Sequence, residues 1–147
     1  MSDKTILLVE DNPDDAMLTK HAFAKTIWKD MLVIAGDGVE ALEYLQGDTS
    51  DGRNTWPLPS LILLDLKMPR VNGLELLKKI RENSQTRFIP VVVLTSSNEQ
   101  QDMIDGYTLG ANCYIRKPID FEQFETIIRK IIDFWINLNE VPGIPAD

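Results

Sequence analysis

Short runs of apolar residues recur along the chain, and longer segments with helical periodicity separate them. Five runs are predicted to be strands because they are short and rich in branched side chains: residues 5–9, 31–35, 61–64, 91–94 and 113–115. The first, third and fourth are apolar throughout instead of alternating between apolar and polar positions. Strands of that kind are covered on both faces, which predicts a parallel sheet with helices on each side.

A segment with helical periodicity follows each of these runs. The first begins at Asn12 and Pro13, since asparagine is a preferred N-cap and proline is favoured at the first helical position. Asp14 and Asp15 are then interpreted as ordinary acidic residues of a first turn, and Gly110 as the end of the fourth helix. The predicted helices cover residues 12–25, 38–45, 74–81, 100–109 and 120–138. Strands that alternate with helices predict a flavodoxin-like α/β fold, with a doubly wound five-stranded parallel sheet and five helices.

Two segments depart from this alternation. Residues 47–60 are rich in turn-forming residues and make a longer connection than most helix-to-strand loops. Residues 139–147 contain two prolines and a glycine and are not expected to continue the last helix. We therefore expect a single domain over residues 1–147, with its core at about 4–138 and a C-terminal tail at 139–147.

The net charge and the cysteine content exclude several classes of protein. The formal net charge of −8 repels nucleic-acid phosphates and anionic lipid, so neither is an expected partner. Cys113 is the only cysteine, which excludes an internal disulfide and fits a reducing compartment. No signal-peptide pattern opens the sequence, and no apolar run reaches the roughly 20 residues of a membrane span. We therefore expect a cytoplasmic protein.

Polar side chains that can carry chemistry follow four of the predicted strands. Because the carboxyl ends of parallel strands meet at one edge of the sheet, we expect these side chains to converge there. They provide carboxylates, hydroxyls and one ammonium group: Glu10, Asp11, Asp65, Thr95, Ser96 and Lys117. Three carboxylates in one pocket repel one another unless a cation compensates for them, and a site made only of oxygen ligands favours Mg²⁺.

This predicted cluster indicates metal-assisted phosphoryl transfer. A carboxylate beside Mg²⁺ can attack a phosphoryl group and become an aspartyl phosphate. Thr95 and Lys117 carry the right groups to bind the phosphoryl oxygens. Stabilisation of charge would then be the main catalytic contribution.

The same residues lie in segments that resemble the receiver domain of two-component response regulators. The segments are ILLVEDN at residues 6–12, LLDLKMPRVNG at 63–73, VVVLTSS at 91–97 and LGANCYIRKP at 109–118. The resemblance covers residues 4–138. It implies a phosphoacceptor switch in a phosphorelay, which takes its phosphoryl group from a sensor histidine kinase. Such a switch catalyses only its own phosphorylation and dephosphorylation.

The resemblance also implies which residues hold the metal and the phosphoryl group. Asp65 would be the phosphorylated aspartate and would also bind the metal. Asp11 would bind Mg²⁺ directly, and Glu10 would reach it through a water molecule. The backbone carbonyl of Lys67 would be the third protein ligand.

The remaining implied roles concern phosphoryl binding and switching. Thr95, Ser96 and Lys117 would bind the phosphoryl group, and Thr95 would also be the switch hydroxyl. Tyr114 would be the aromatic residue that moves inward on activation, and Pro118 would be a cis proline. The alternative for Tyr114 is a core residue of an edge strand that never moves.

Three other functional classes fit parts of the pattern. A phosphohydrolase with an aspartate nucleophile would carry a second aspartate two residues later, where this chain has Lys67. A flavodoxin-like nucleotide-binding protein would need a phosphate-binding turn after the first strand, where this chain has acidic residues. A receiver fold kept only as a scaffold would have lost Asp65, Thr95 or Lys117, and all three are present.

The expected partners are proteins. No output domain is expected after the last helix, so a signal would leave through protein contacts. The loop at residues 47–60, the helix start at 11–18 and the tail resemble single-domain regulators of cyanobacterial phytochrome-type sensor kinases. The resemblance therefore implies a phytochrome-type kinase and a downstream protein as partners.

The last predicted helix carries two apolar stripes, which is more than packing against one sheet requires. The first stripe is Phe124, Ile128, Ile131 and Trp135. The second is Ile127, Phe134 and Leu138, widened by Ile132 and Ile136. Either the tail folds back over the second stripe or a second copy covers it in a two-fold dimer. Resemblance to receivers that pair through their fourth helix, fifth strand and fifth helix favours a homodimer.

Overall fold

A computed structural model of the protein describes residues 4–26, 29–46, 58–68 and 71–142. The strands in these ranges are β1 (Ile6–Val9), β2 (Leu32–Ala35), β3 (Leu61–Leu64), β4 (Val91–Thr95) and β5 (Cys113–Arg116). They pair in parallel in the order β2-β1-β3-β4-β5. The predicted sheet is confirmed, and each predicted strand differs from the observed one by at most a single residue at one end.

Helices connect the strands and cover both faces of the sheet. Their bounds in the described chain are α1 (Pro13–Ala24), α2 (Gly38–Gln46), α3 (Gly73–Glu82), α4 (Gln100–Thr108) and α5 (Phe121–Ile131). The side chain of Asn12 accepts bonds from the amides of Asp14 and Asp15, at 2.8 and 3.2 Å, and so caps α1 as predicted. Asn72 and Asp120 cap α3 and α5 in the same way.

Alternate residues of β1 face opposite apolar layers. Leu7 and Val9 pack in the layer with α2 and α3, whereas Ile6 and Leu8 pack in the layer with α1 and α5. All four side chains are buried. This two-sided burial is what the continuous apolar runs predicted.

The side chain of Arg81 links the segment before β4 to the segment before β5, at the amino-terminal edge of the sheet. Its guanidinium donates to the carbonyl of Gly110 at 2.9 Å and to those of Arg87 and Ile89 at 2.9 and 2.7 Å. It also donates to Oδ1 of Asn112 at 2.8 Å. Gly110 follows α4 with a φ of 111°, a conformation that favours glycine, and a Cβ there would lie 2.9 Å from the Arg81 side chain. The predicted stop at Gly110 is therefore confirmed.

The last helix changes from α to π geometry after Ile131, and the π-helical segment covers Ile132–Leu138. Its hydrogen bonds span five residues instead of four, which changes the residues that face the core. Ile132 and Ile136 are buried, while Trp135 of the predicted first stripe is only partly buried. The predicted core stripe is confirmed at Phe124, Ile128 and Ile131, and Trp135 packs against the same apolar layer. Ile132 and Ile136, which the prediction had added to the second stripe, belong to this layer as well. Phe134 and Leu138 stay 50% and 71% exposed.

Two predicted features fall largely outside the described residues. Of the loop at residues 47–60, only 58–60 are described, and of the tail, only 139–142. Those tail residues follow the π-helical segment without regular structure, so the predicted end of the helix is confirmed. None of the helices within the described ranges is long and apolar enough to cross a membrane.

Candidate functional site at the carboxyl edge of the sheet

The predicted reactive side chains lie where the parallel strands end. Glu10 and Asp65 directly follow β1 and β3, Thr95 is the last residue of β4, and Lys117 directly follows β5. Strands β1 and β3 are neighbours at the point where the strand order reverses. Open α/β sheets bind their ligands at this point, because the flanking connections leave on opposite faces and open a crevice.

Asp65 lies at the centre of the cluster and is only 7% exposed. Its Oδ1 accepts a bond of 2.8 Å from the hydroxyl of Thr95 and one of 3.3 Å from the backbone amide of Lys67. Its Oδ2 lies 3.6 Å from Nζ of Lys117. The structure thus brings together a carboxylate, a hydroxyl and an ammonium group from three different strand ends.

Lys117 is surrounded by carboxylates. Its Nζ donates to Oε1 of Glu10 at 2.5 Å and to Oδ2 of Asp15 at 3.1 Å. Burial alone lowers the pKa of Lys117, but the hydrogen bond that Lys117 donates to Glu10 and the charge of Asp65 outweigh that effect and raise the pKa. Burial raises the pKa of Glu10 to about 7, the bond to Lys117 opposes this rise, and the charge of Asp65 adds to it. Lys117 therefore stays charged and offsets part of the negative charge.

Three acidic side chains are placed to share a cation. One carboxylate oxygen each from Glu10, Asp11 and Asp65 lies within 4.8 Å of the other two. Glu10 and Asp65 are buried, whereas Asp11 is exposed at the open side of the cluster. The donors are all oxygen atoms, and Lys117 alone does not balance three carboxylates. These residues therefore fit a hard divalent cation that keeps some of its water ligands.

Gly73 allows α3 to begin directly against the backbone of Asp65. A Cβ at this position would lie 2.5 Å from the carbonyl oxygen of Asp65 and 2.5 Å from Cα of Leu66. The amide of Gly73 instead donates to the Leu66 carbonyl at 3.1 Å. A larger residue at position 73 would displace the segment that carries Asp65.

The other predicted site residues lie around this centre. Ser96 is exposed next to Thr95. Tyr114 of β5 is partly buried with its ring facing Gly106 of α4, and its hydroxyl is buried without a hydrogen-bond partner in the described chain. The peptide bond before Pro118 is trans, so the expectation of a cis proline is wrong. Trans is the more stable form of most bonds to proline, and the expectation of a cis bond came only from the family resemblance.

Asp15 is the site residue that the sequence interpretation missed. It had been assigned only to the first turn of a helix, yet its carboxylate binds the ammonium of Lys117, 102 positions further along the chain. No local pattern indicated this pairing, because Asp11 precedes the helix and the two partners, Asp15 and Lys117, belong to different elements.

Comparison with known proteins shows which family carries this arrangement. A family model of the response regulator receiver domain matches residues 6–129. The chain belongs to that family. The probable methanogenesis regulatory protein FilR2 of Methanothrix harundinacea (strain 6Ac) is 39% identical over 94% of this chain and 87% of its own length. Response regulator Rcp1 of Synechocystis sp. is 37% identical over 95% of this chain and 94% of its own.

Solved structures of related receivers have the same fold. The phosphorylated cyanobacterial phytochrome response regulator RcpA is 36% identical, with a TM-score of 0.85 over 97% of this chain and 100% of its own. The Mn²⁺-bound form of Rcp1 is 35% identical, with a TM-score of 0.83 over 95% of this chain and 99% of its own. The predicted family and receiver fold are confirmed.

Membership of the family fixes the class of function. Receiver domains are phosphoacceptor switches that take phosphoryl groups from histidine kinases, and the predicted switch is confirmed at that level. The acidic cluster of Glu10, Asp11 and Asp65 is consistent with a phosphoacceptor site and is suited to a divalent metal ion.

Proposed function

We propose that the chain accepts a phosphoryl group on Asp65 from a sensor histidine kinase, with Mg²⁺ as cofactor. The observation that carries this proposal is the position of Asp65 between Thr95 and Lys117, at 2.8 and 3.6 Å. A hydroxyl and an ammonium group beside a nucleophilic carboxylate are suited to bind the oxygens of the phosphoryl group during transfer.

The transfer exchanges one bond to phosphorus for another. A carboxylate oxygen of Asp65 bonds to phosphorus while the bond from phosphorus to the donor imidazole nitrogen breaks. The imidazole leaves as a neutral ring, with the electron pair on the released nitrogen and a proton on the other. Bound Mg²⁺ supplies neutralisation of charge and orientation of the phosphoryl oxygens. The chain catalyses this reaction and the later dephosphorylation only on itself.

The surroundings of the acids support the metal ligands that the resemblance implies. Asp11 would bind Mg²⁺ directly, and its carboxylate is exposed. Glu10 would bind through a water molecule, since one of its oxygens already accepts the ammonium of Lys117. Asp65 and the backbone carbonyl of Lys67 would be the other protein ligands. The Mn²⁺-bound form of Rcp1 supports a divalent ion, and a site of oxygen ligands favours Mg²⁺.

The phosphoryl group changes the packing around β4 and β5. Its negative charge is bound by Thr95, Ser96 and Lys117, and the Thr95 hydroxyl exchanges the carboxylate of Asp65 for a phosphoryl oxygen. Tyr114 then moves inward and fills the space that Thr95 leaves. This is a shift of population between two packings, driven by contacts that the phosphoryl group makes in only one of them.

The partner is proposed to be a phytochrome-type sensor kinase in the cytoplasm. The support is the similarity to the cyanobacterial phytochrome response regulator RcpA, whose full length this chain covers. We further propose one receiver unit over residues 1–147, with a core at 4–138 and a tail at 139–147. The message passes to a downstream protein through contacts of this unit.

We also propose a homodimer through α4, β5 and the last helix. Ile104 and Tyr107 of α4 are 47% and 50% exposed, and Phe134 and Leu138 of the π-helical segment are exposed as well. The described part of the tail, residues 139–142, leaves these two side chains exposed. Sedimentation of the unsubstituted chain and of Phe134→Glu tests this. A monomer at micromolar concentration, or a Phe134→Glu variant that stays dimeric, would reject this interface.

Phosphotransfer from a panel of autophosphorylated sensor kinases tests the main proposal. We expect rapid transfer from a phytochrome-type kinase to the unsubstituted chain and to the control Asp14→Asn, whose side chain is exposed outside the cluster. We expect no transfer to Asp65→Asn, because the amide keeps the shape but is not a nucleophile. Equal transfer to Asp65→Asn would reject the assignment of the phosphoacceptor. Transfer from other kinase classes alone would reject the phytochrome-type partner.

A further inference from the structure

An ion pair holds the side chain of Lys67 away from Asp65. The ammonium of Lys67 lies 3.4 Å from Oδ2 of Asp102 and 3.7 Å from Oε1 of Glu99. The Asp102 side chain is 15% exposed and that of Lys67 is 56% exposed. The negative charge of Asp102, and to a smaller extent that of Glu99, raises the pKa of Lys67, so its ammonium group is charged. The pair therefore joins the connection after β3 to the first turn of α4.

This ion pair belongs to a closed ring of polar contacts through Asp65. Oδ2 of Asp102 accepts the hydroxyl of Ser97 at 2.6 Å, and the amide of Ser97 donates to Oγ1 of Thr95 at 3.3 Å. Thr95 and the Lys67 amide both donate to Oδ1 of Asp65. Asp65 and Asp102 are therefore connected by two routes, through the hydroxyl side chains and through Lys67.

The first turn of α4 depends on these contacts. Glu99 is its N-cap residue but provides no side-chain capping bond. The hydroxyl of Ser97 instead accepts the amide of Glu99 at 3.3 Å, while it donates to Asp102. The bond from the Met103 amide to the Glu99 carbonyl is long, at 3.4 Å. A change at Asp102 would therefore be transmitted to the position of this turn.

We propose that Asp102 is a positioning residue for Lys67 and thereby sets the lifetime of the phosphoryl group on Asp65. This inference rests on the proposed function and deepens it. A phosphoryl group on Asp65 competes with Asp102 for the ammonium of Lys67, since it carries more negative charge than a carboxylate. When Lys67 moves to the phosphoryl oxygens, its side chain covers the phosphorus atom and the carboxylate of Asp102 is released.

The covered state resists hydrolysis. In hydrolysis a water oxygen bonds to phosphorus and the bond from phosphorus to the Asp65 oxygen breaks. The products are the free carboxylate, inorganic phosphate and one proton. The water must approach opposite the leaving Asp65 oxygen, and a lysine side chain lying over the phosphoryl group obstructs that approach. Asp102 draws Lys67 away and so shortens the phosphorylated state.

The test is the decay of phosphorylated Asp65 in Asp102→Asn, measured by intact-mass spectrometry after loading with acetyl phosphate and Mg²⁺. The amide keeps an oxygen for the Ser97 hydroxyl but removes the charge that holds Lys67. We expect the half-life to lengthen about two- to fivefold, the range that a partly exposed ion pair supplies. Lys67→Ala should shorten the half-life, and adding Asp102→Asn to Lys67→Ala should change nothing further.

Asp105→Asn is the matched control, because it removes an α4 carboxylate that bonds to Gln101 at 2.8 Å and not to Lys67. An unchanged or shorter half-life in Asp102→Asn would overturn the inference. So would the same lengthening in the Lys67→Ala background, since a merely structural role of Asp102 would not need Lys67. In the unsubstituted protein, the side-chain carbon signals of Lys67 should shift when the phosphoryl mimic beryllofluoride binds with Mg²⁺. Signals of Lys67 that do not move would overturn it independently of any variant.

The two proposals fail in different ways. No label on Asp65 of the unsubstituted protein would overturn the proposed function and this inference with it. Label on Asp65 with equal decay in the unsubstituted protein and in Asp102→Asn would overturn only the role of Asp102.

Discussion

The hydroxyl of Tyr114 offers a direct test of the packing between β5 and α4. It is buried and has no hydrogen-bond partner within the described ranges. An unpaired buried hydroxyl costs about 1–3 kcal/mol of folding free energy. Tyr114→Phe keeps the ring against Gly106 and removes the unpaired oxygen, so the free energy of unfolding should rise by about 1 kcal/mol. For a domain of this size that corresponds to an increase in Tm of about 3 °C.

Urea denaturation of the metal-free protein, followed by circular dichroism, measures this change. Tyr107→Phe is the matched control, because Tyr107 is 50% exposed and its ring centroid lies 6.5 Å from that of Tyr114. Its substitution should change stability by less than about 0.5 kcal/mol. If Tyr114→Phe is less stable than the unsubstituted protein by more than that amount, the hydroxyl has a partner and the reasoning is refuted.

Two further predictions concern the metal cluster and the arginine network. Millimolar Mg²⁺ should raise the Tm of the unsubstituted protein by the equivalent of about 2.7 kcal/mol at a hundredfold excess over Kd. The control Asp14→Ala should gain as much, and Asp11→Ala much less. A Tm of the unsubstituted protein that does not change with Mg²⁺ would contradict the proposed site. Arg81→Lys should lower the free energy of unfolding by about 2 kcal/mol, because one ammonium group cannot replace the guanidinium bonds to three carbonyls and Asn112. The control Arg87→Lys, at an exposed position, should change the free energy of unfolding by less than about 0.5 kcal/mol in the same urea titration. Equal losses of unfolding free energy in the two variants would reject the network.

The sequence predicted those features that local patterns encode. The buried strands were evident from runs such as the one at β1, where every residue is apolar. The start of α1 was evident from Asn12, because its capping bonds reach only the next few amides. The edge at which Glu10, Asp65 and Lys117 meet followed from the topology of a parallel sheet.

Contacts between distant elements were beyond the reach of these patterns. The pairing of Asp15 with Lys117 joins the first helix to the end of the last strand. That of Lys67 with Asp102 joins the connection after β3 to the first turn of α4. The π-helical segment was also missed. An amphipathic pattern with a period of 3.6 predicts which side of an α-helix is buried, but it does not predict a change in hydrogen-bonding period after Ile131.

The measurement that tests the account most directly is the site of phosphorylation. The chain is incubated with acetyl phosphate and Mg²⁺, and the modified residue is mapped by mass spectrometry of its peptides. We predict one phosphoryl group on Asp65, none when Mg²⁺ is removed by a chelator, and none on a folded Asp65→Asn variant. Label on another residue, or undiminished label on Asp65→Asn, would contradict the account.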